Sequence, residues 1–275
     1  MTIAAALAEA QQAIGRLEAR VLLRHVLRCD EAFLIAHGDD EMTVAHSAEF
    51  GRLIARRASG EPVAYLTGHR EFYGREFMVT PAVLIPRPDT ELLVELALQR
   101  MAENAAVLDL GAGSGCIGVT LAAERPQAQV TLVDQSGDAL DVARANAHRH
   151  AAANTVLLRS DWYAALGTAR YDLIVSNPPY IASGDAHLHQ GDLRFEPQAA
   201  LASGTDGLDD IRRIVAGAQR HLNPGGWLLC EHGHDQADAC TALLQQAGFI
   251  EVFSARDIAE IRRVSGGRRP HDADA

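Results

Sequence analysis

Residues 106–118 read AVLDLGAGSGCIG: an apolar run stops at three alternating glycines, and a second apolar segment follows at once. This order of strand, glycine turn and helix constrains the fold more than any other stretch of the chain. Gly111, Gly113 and Gly115 can take positive φ and let a ligand approach the backbone. Asp109 precedes the turn, and Asp134 ends the next apolar run, QVTLVD. A carboxylate at the end of that second strand can accept hydrogen bonds from ribose hydroxyls. The bland alternative is a tight turn without a ligand, but both acids lie where a nucleoside needs them. Gly113, Gly115 and Gly118 also satisfy G-x-G-x-x-G, so the loop alone leaves a dinucleotide reading open.

The surrounding rhythm supports an α/β fold. Helical spacing over 114–124 and 137–150, and later over 207–221 and 236–249, alternates with apolar runs at QVTLVD, TVLLRSD, YDLIVS and GGWLLCE. EVFSA and EIRRVSG are the last predicted strands. The pattern predicts a mostly parallel sheet with helices on both faces. Residues 1–68 differ. Leu17, Val21, Leu22 and Val26, and then Phe50, Leu53 and Ile54, recur at helical spacing with no strand pattern, which predicts a bundle of four or five helices. Between them, GHREFYGREFMVTPAVLIPRP alternates aromatic and polar residues about Gly74 and then carries Pro81, Pro86 and Pro88. That reads as a β-hairpin and linker over 69–88. A helix begins at Asp89 or Thr90 and opens the larger domain, 89–275. The polar tail 266–275 is expected to fray.

Composition narrows the function. The formal net charge is −11, and all 25 basic residues are arginine. That balance argues against a broad basic grip on nucleic acid, so no direct nucleic-acid partner is expected. Cys29, Cys116, Cys230 and Cys240 have no paired spacing, as free thiols in a reducing cytoplasm would. No apolar run approaches a membrane span, and the N-terminal segment has no basic start. A cytoplasmic protein without a membrane partner is expected. Cys230, His232 and His234 alternate in CEHGH, but no fourth ligand is suggested nearby, and no metal is expected.

The run YDLIVS ends in Asn177-Pro178-Pro179-Tyr180. A strand tip in such a sheet borders the ligand crevice. The prolines fix φ and stiffen the turn. The Asn177 side-chain oxygen and the Pro178 carbonyl then form two oriented acceptors, which suit a planar NH2 with two donors. Tyr180 offers an aromatic wall. Holding both hydrogens of an amide out of plane aims its lone pair at an electrophile, which is positioning and electrostatic preorganisation. Asp161 and Trp162 follow the third strand of the larger domain. There, ligand contact competes equally with a helix cap at Asp161, opening a short helix at 162–166, and with simple packing at Trp162.

The leading Asp109 in D-L-G-x-G-x-G resembles the cofactor loop of S-adenosylmethionine-dependent methyltransferases. Over nearly its whole length the chain resembles the release factor glutamine methyltransferase family, through YLTGHREFYG, VLIPRPDTELLVE, VLDLGAGSGCIG, SDWY, SNPPYI and HLHQGDLRFEPQAAL. The resemblance implies a Rossmann-like S-adenosylmethionine-dependent methyltransferase sheet behind a small N-terminal helical bundle that docks the release factor. It implies S-adenosyl-L-methionine contacts at Gly111, Ala112, Gly113, Ser114, Gly115, Asp134, Trp162 and Asn177. It implies that Asn177, Pro178, Pro179 and Tyr180 hold the glutamine of the Gly-Gly-Gln motif of class I peptide chain release factors, methylated at N5. The rivals are a glutamine methyltransferase of a ribosomal protein and, more distantly, a nucleic-acid amino-methyltransferase.

Overall fold

Short polar side chains begin the helices of the N-terminal region. Thr2 accepts a hydrogen bond from Ala5 N ahead of α1 (Ile3–Ile14), Asp30 from Phe33 N ahead of α3 (Glu31–Ala36), and Thr43 from His46 N ahead of α4 (Val44–Ala58). Gly15, at φ 84°, separates α1 from α2 (Arg16–Leu27), and α5 (Val63–Thr67) follows Pro62. The computed structural model describes residues 1–271. Within it, Met1–His69 together with Gln190–Phe195 form one compact unit; Arg70–His189 and the chain from Glu196 onward form the other. The helical unit closes on Leu7, Leu22, Leu23, Leu34, Phe50 and Leu53, all buried. Arg57 binds Glu18 at 2.6 Å and Asp192 at 3.2 Å, which ties the 190–195 segment into this unit.

A hairpin of β1 (His69–Phe72) and β2 (Arg75–Met78) follows, all but its first residue in the larger unit. Its two turn residues, Tyr73 and Gly74, both have positive φ, the backbone that a tight hairpin needs. Sequence reading makes 69–88 a linker. The structure adds that Phe72 and Phe77 are essentially unexposed and belong to the same core as Leu93 and Val119.

Five helices, α6 (Glu91–Arg100), α7 (Cys116–Glu124), α8 (Gly137–Arg149), α9 (Asp209–His221) and α10 (Ala237–Gln246), accompany a seven-stranded sheet. The strands are β3 (Ala106–Leu110), β4 (Gln129–Asp134), β5 (Thr155–Arg159), β6 (Tyr171–Ser176), β7 (Leu222–Glu231), β8 (Ile250–Arg256) and β9 (Arg262–Arg268). Their order is β5-β4-β3-β6-β7-β9-β8; β9 alone runs antiparallel to its neighbours. Alternation along the strands sorts side chains into two cores. Val107, Leu173 and Val175 pack with α6 and α7, whereas Leu108, Leu110 and Ile174 pack with α9 and α10. The strand order reverses between β3 and β6, and their ends are locked together by the Ser176 hydroxyl donating to Leu110 O at 2.7 Å. That reversal opens a crevice at the carboxyl ends of the strands.

The expectation of a frayed tail from 266 is corrected. Gly266 pairs with Leu229 and Gly267 with Leu228. A Cβ at Gly266 would lie 2.5 Å from Leu229 Cδ2 and 2.8 Å from Leu228 O, so these glycines let β9 sit close against β7. The nearby arginines are paired: Arg262 with Asp238, Arg263 with Asp257 and Asp89, and Arg268 with Glu251. The last four residues of the tail lie outside the described residues. Among the described residues, no helix is long and apolar enough to cross a membrane.

Candidate active site

The glycine turn is held by its own backbone and by two acids. Gly111 N and Ala112 N both donate to Val133 O, at 2.8 and 2.9 Å. Asp134 Oδ2 accepts from Gly113 N and its Oδ1 from Ser136 N, each at 2.9 Å. A carboxylate has lone pairs to spare for ligand hydroxyls after two such bonds. Gly111, at φ 74°, also faces Trp162: a Cβ there would lie 3.4 Å from the indole ring. Trp162 has a left-handed backbone, φ 47°, and its Nε1 donates to Asp210 Oδ1 at 3.2 Å. Asp210 is fixed in turn by the Ser203 hydroxyl at 2.8 Å. The segment after β5 is a run of turns, so no helix occupies 162–166, and Asp161 pairs with Arg213 at 2.7 Å.

These groups border one cleft of about 250 Å³. Gly111, Ala112, Gly113 and Ser114 line it from the turn, Asp134 and Trp162 from the sheet ends, and Asn177 and Pro179 from the loop after β6. Gly115, Pro178 and Tyr180 do not reach its wall. Gly115 is turned to Ala143 and Leu132, Pro178 is buried, and the Tyr180 carbonyl accepts from Gln236 Nε2 at 2.9 Å. The wall fits S-adenosylmethionine: Asp134 suits a sugar with free hydroxyls and opposes a phosphate there, and the glycines leave room beside the backbone.

Asp109 lies beneath the turn, outside the cleft wall. It is fully buried; Oδ2 accepts from Gly118 N at 2.9 Å, and Oδ1 has no partner among the described residues. Burial raises its pKa to about 7, against the Gly118 hydrogen bond and with a smaller push from Asp134. Glu231, at the end of β7, is likewise raised to about 7, chiefly by burial. Both folded values exceed the unfolded ones, so their contribution to stability is complete below about pH 4 and is lost as pH rises through about 7. Denaturant unfolding between pH 5.5 and 8.5 is expected to show stability falling by a few kcal/mol. Glu231→Gln is expected to flatten that slope; an unchanged slope would contradict the assignment.

Thr90, Arg87 and Glu196 were not among the expected site residues. Thr90, expected at a helix start, is 2% exposed, and its Oγ1 accepts from Asn177 Nδ2 at 3.1 Å. Arg87, at the cleft, pairs with buried Glu196, whose Oε2 also accepts from Ile85 N at 3.0 Å. Glu196 thereby braces the segment before the short 3-10 turn Pro88–Thr90. Buried His232 donates to or accepts from Ser265 Oγ at 2.8 Å, a structural contact across β7 and β9.

The sheet, the glycine turn with its acid and the Asn-Pro-Pro-Tyr loop define an S-adenosylmethionine-dependent methyltransferase. The family model for the PrmC N-terminal domain matches residues 2–68, and that for the methyltransferase small domain matches 88–200. A release factor glutamine methyltransferase of Bordetella pertussis is 56% identical over 94% of this chain and 96% of its own. One from Escherichia coli is 44% identical over 92% of each. The chain belongs to the release factor glutamine methyltransferase family. Its fold also matches the Thermus thermophilus 16S rRNA N2 G1207 methyltransferase, solved with AdoMet and guanosine, at a TM-score of 0.53 and 24% identity over 73% of this chain and 49% of that one.

Proposed function

We propose that this enzyme methylates the side-chain amide nitrogen, N5, of the glutamine in the Gly-Gly-Gln motif of class I peptide chain release factors. One observation carries the reading. Asn177 is anchored through its NH2 to Thr90, so the carboxamide oxygen is the half left for the cleft. When bound, S-adenosylmethionine supplies an electrophilic methyl group on a sulfonium sulfur. Asn177 Oδ1 accepts one hydrogen of the substrate carboxamide; the Pro178 carbonyl, outside the cleft wall in this structure, is the second acceptor this reading requires. That grip directs the nitrogen lone pair, delocalised in the free amide, toward the methyl group. Pro178 and Pro179 stiffen the acceptor pair, and Tyr180 stands behind the loop, its carbonyl held by Gln236. A nitrogen-protonated amide is a strong acid, so the proton leaves to water without a dedicated base.

The helical unit is assigned to docking the release factor. The match of residues 2–68 to the PrmC N-terminal domain model supports this. The test supplies labelled S-adenosylmethionine with a release factor, the same factor carrying Gln→Ala in its Gly-Gly-Gln motif, a ribosomal protein, and DNA. Label is expected on the unaltered release factor alone. Equal label on the Gln→Ala factor, or label only on DNA or the ribosomal protein, would refute the reading.

A further inference from the structure

One carboxylate on the cleft wall is held by protein groups at both of its oxygens. Asp210, in the first turn of α9, lines the cleft with Trp162. Its Oδ1 accepts from Trp162 Nε1 at 3.2 Å, and its Oδ2 from the Ser203 hydroxyl at 2.8 Å. Its own N–H donates back to Ser203 Oγ at 2.8 Å. Arg213 pairs with Asp161 at 2.7 Å and comes only within 3.7 Å of Asp210 Oδ1. Ser203 is 2% exposed, and its N–H donates at 2.9 Å to the carbonyl of Ile181, the residue that follows the Asn-Pro-Pro-Tyr loop. One acid therefore joins the aromatic wall of the cleft to the chain that leaves the loop.

The donors in these bonds are settled by their chemistry. Indole and backbone N–H groups only donate. Ser203 Oγ accepts from Asp210 N, so its single hydrogen goes to Asp210 Oδ2. Trp162 needs such an anchor. Its backbone is left-handed, at φ 47°, a conformation that is costly for a bulky residue and persists where surrounding contacts impose it. Gly111 leaves the ring its place, since a Cβ there would lie 3.4 Å from Trp162 Cζ3. An aromatic wall fixed before binding costs a flat ligand less ordering entropy than one that settles on arrival.

We infer that Asp210 is a positioning residue for the cofactor: its carboxylate holds the Trp162 indole against the glycine turn and, through Ser203, in a fixed place relative to the Asn-Pro-Pro-Tyr loop. This deepens the proposed function. It rests on the cleft taking S-adenosylmethionine with Trp162 on its wall, and not on which acceptor is methylated.

A double-mutant cycle on the full-length protein, read by calorimetric titration with S-adenosylhomocysteine, tests it. Trp162→Phe keeps an aromatic ring and removes the N–H; Asp210→Ala removes the acceptor. Each is expected to weaken binding about 10-fold, and the double variant to bind within about 2-fold of the weaker single variant. Asp210→Asn is expected to stay within about 3-fold of wild type: its amide oxygen still accepts from the indole, and its NH2 donates to the second lone pair of Ser203 Oγ. Losses that multiply to about 100-fold in the double variant would overturn the inference. So would Asp210→Ala binding within about 2-fold of wild type, or Asp210→Asn binding as weakly as Asp210→Ala. Thermal unfolding shows whether each variant is folded at the titration temperature. If Asp210→Ala is not, Ser203→Ala, which cuts the second hold on the carboxylate, takes its place. Its expected loss of about 5-fold vanishes in the Trp162→Phe background, and a loss that persists there overturns the inference. Wild-type enzyme that failed to bind S-adenosylhomocysteine would refute the cofactor cleft and the inference with it. Release factor left unlabelled would refute only the acceptor reading, because no acceptor enters this cycle.

Discussion

Asn177→Ala is expected to lower kcat by about 10³-fold while weakening cofactor affinity only several-fold. The side chain touches the cleft, is anchored by one half to Thr90, and has its oxygen left for a ligand. A fixed acceptor in a dry site costs little reorganisation when charge moves, so its loss removes about 4 kcal/mol of transition-state stabilisation. In the proposed site the cofactor would keep the backbone of Gly111–Ser114 and the Asp134 carboxylate, so its binding is expected to change little. Single-turnover rates and a separate titration with S-adenosylhomocysteine distinguish the two effects. Turnover near wild type would mean that the substrate amide is held elsewhere.

Gly118→Ala should act on the opposite side of the cleft and by different physics. A Cβ at residue 118 would lie 2.8 Å from Asp109 Oδ2 and 2.8 Å from Leu132 Cγ. The carboxyl is fully buried and its bond to Gly118 N is the one it makes, so it has little freedom to withdraw. Either α7 lifts from β3 and β4, or a buried hydrogen bond breaks. Overpacking of this kind costs about 1–3 kcal/mol, which in a domain of this size lowers Tm by about 5 °C. Because α7 continues directly from the glycine turn, cofactor affinity is expected to fall at least about 10-fold, more than in Asn177→Ala. Calorimetric unfolding and cofactor titration provide the check; unchanged values in both would show that the first turn of α7 is slack.

The fold was legible because its signals are local. The glycine turn, the apolar runs and the helical spacing of the first 68 residues each announce an element within a few residues. Asp134 and Asn177 were legible because strand ends in an open sheet converge on one crevice. Thr90, Glu196 and Glu231 were not. Thr90 meets a partner 87 positions away, and Glu196 meets Ile85 across 111 positions. A threonine in a helix-start pattern gives no sign that its hydroxyl serves a distant strand tip. The tail was misread for a related reason. GGRRP, from residue 266, looks polar and flexible, but Gly266 and Gly267 pair with β7, a fact visible only once both strands are in register.

The helical unit takes a second contribution from far along the chain, at Gln190–Phe195, fastened by Arg57 to Asp192. A swap of N-terminal modules between relatives would therefore need two cuts of sequence, not one. A donor carrying only its first seventy residues would bring an arginine whose acid stayed behind in the recipient, so the two stretches are expected to be inherited as a set.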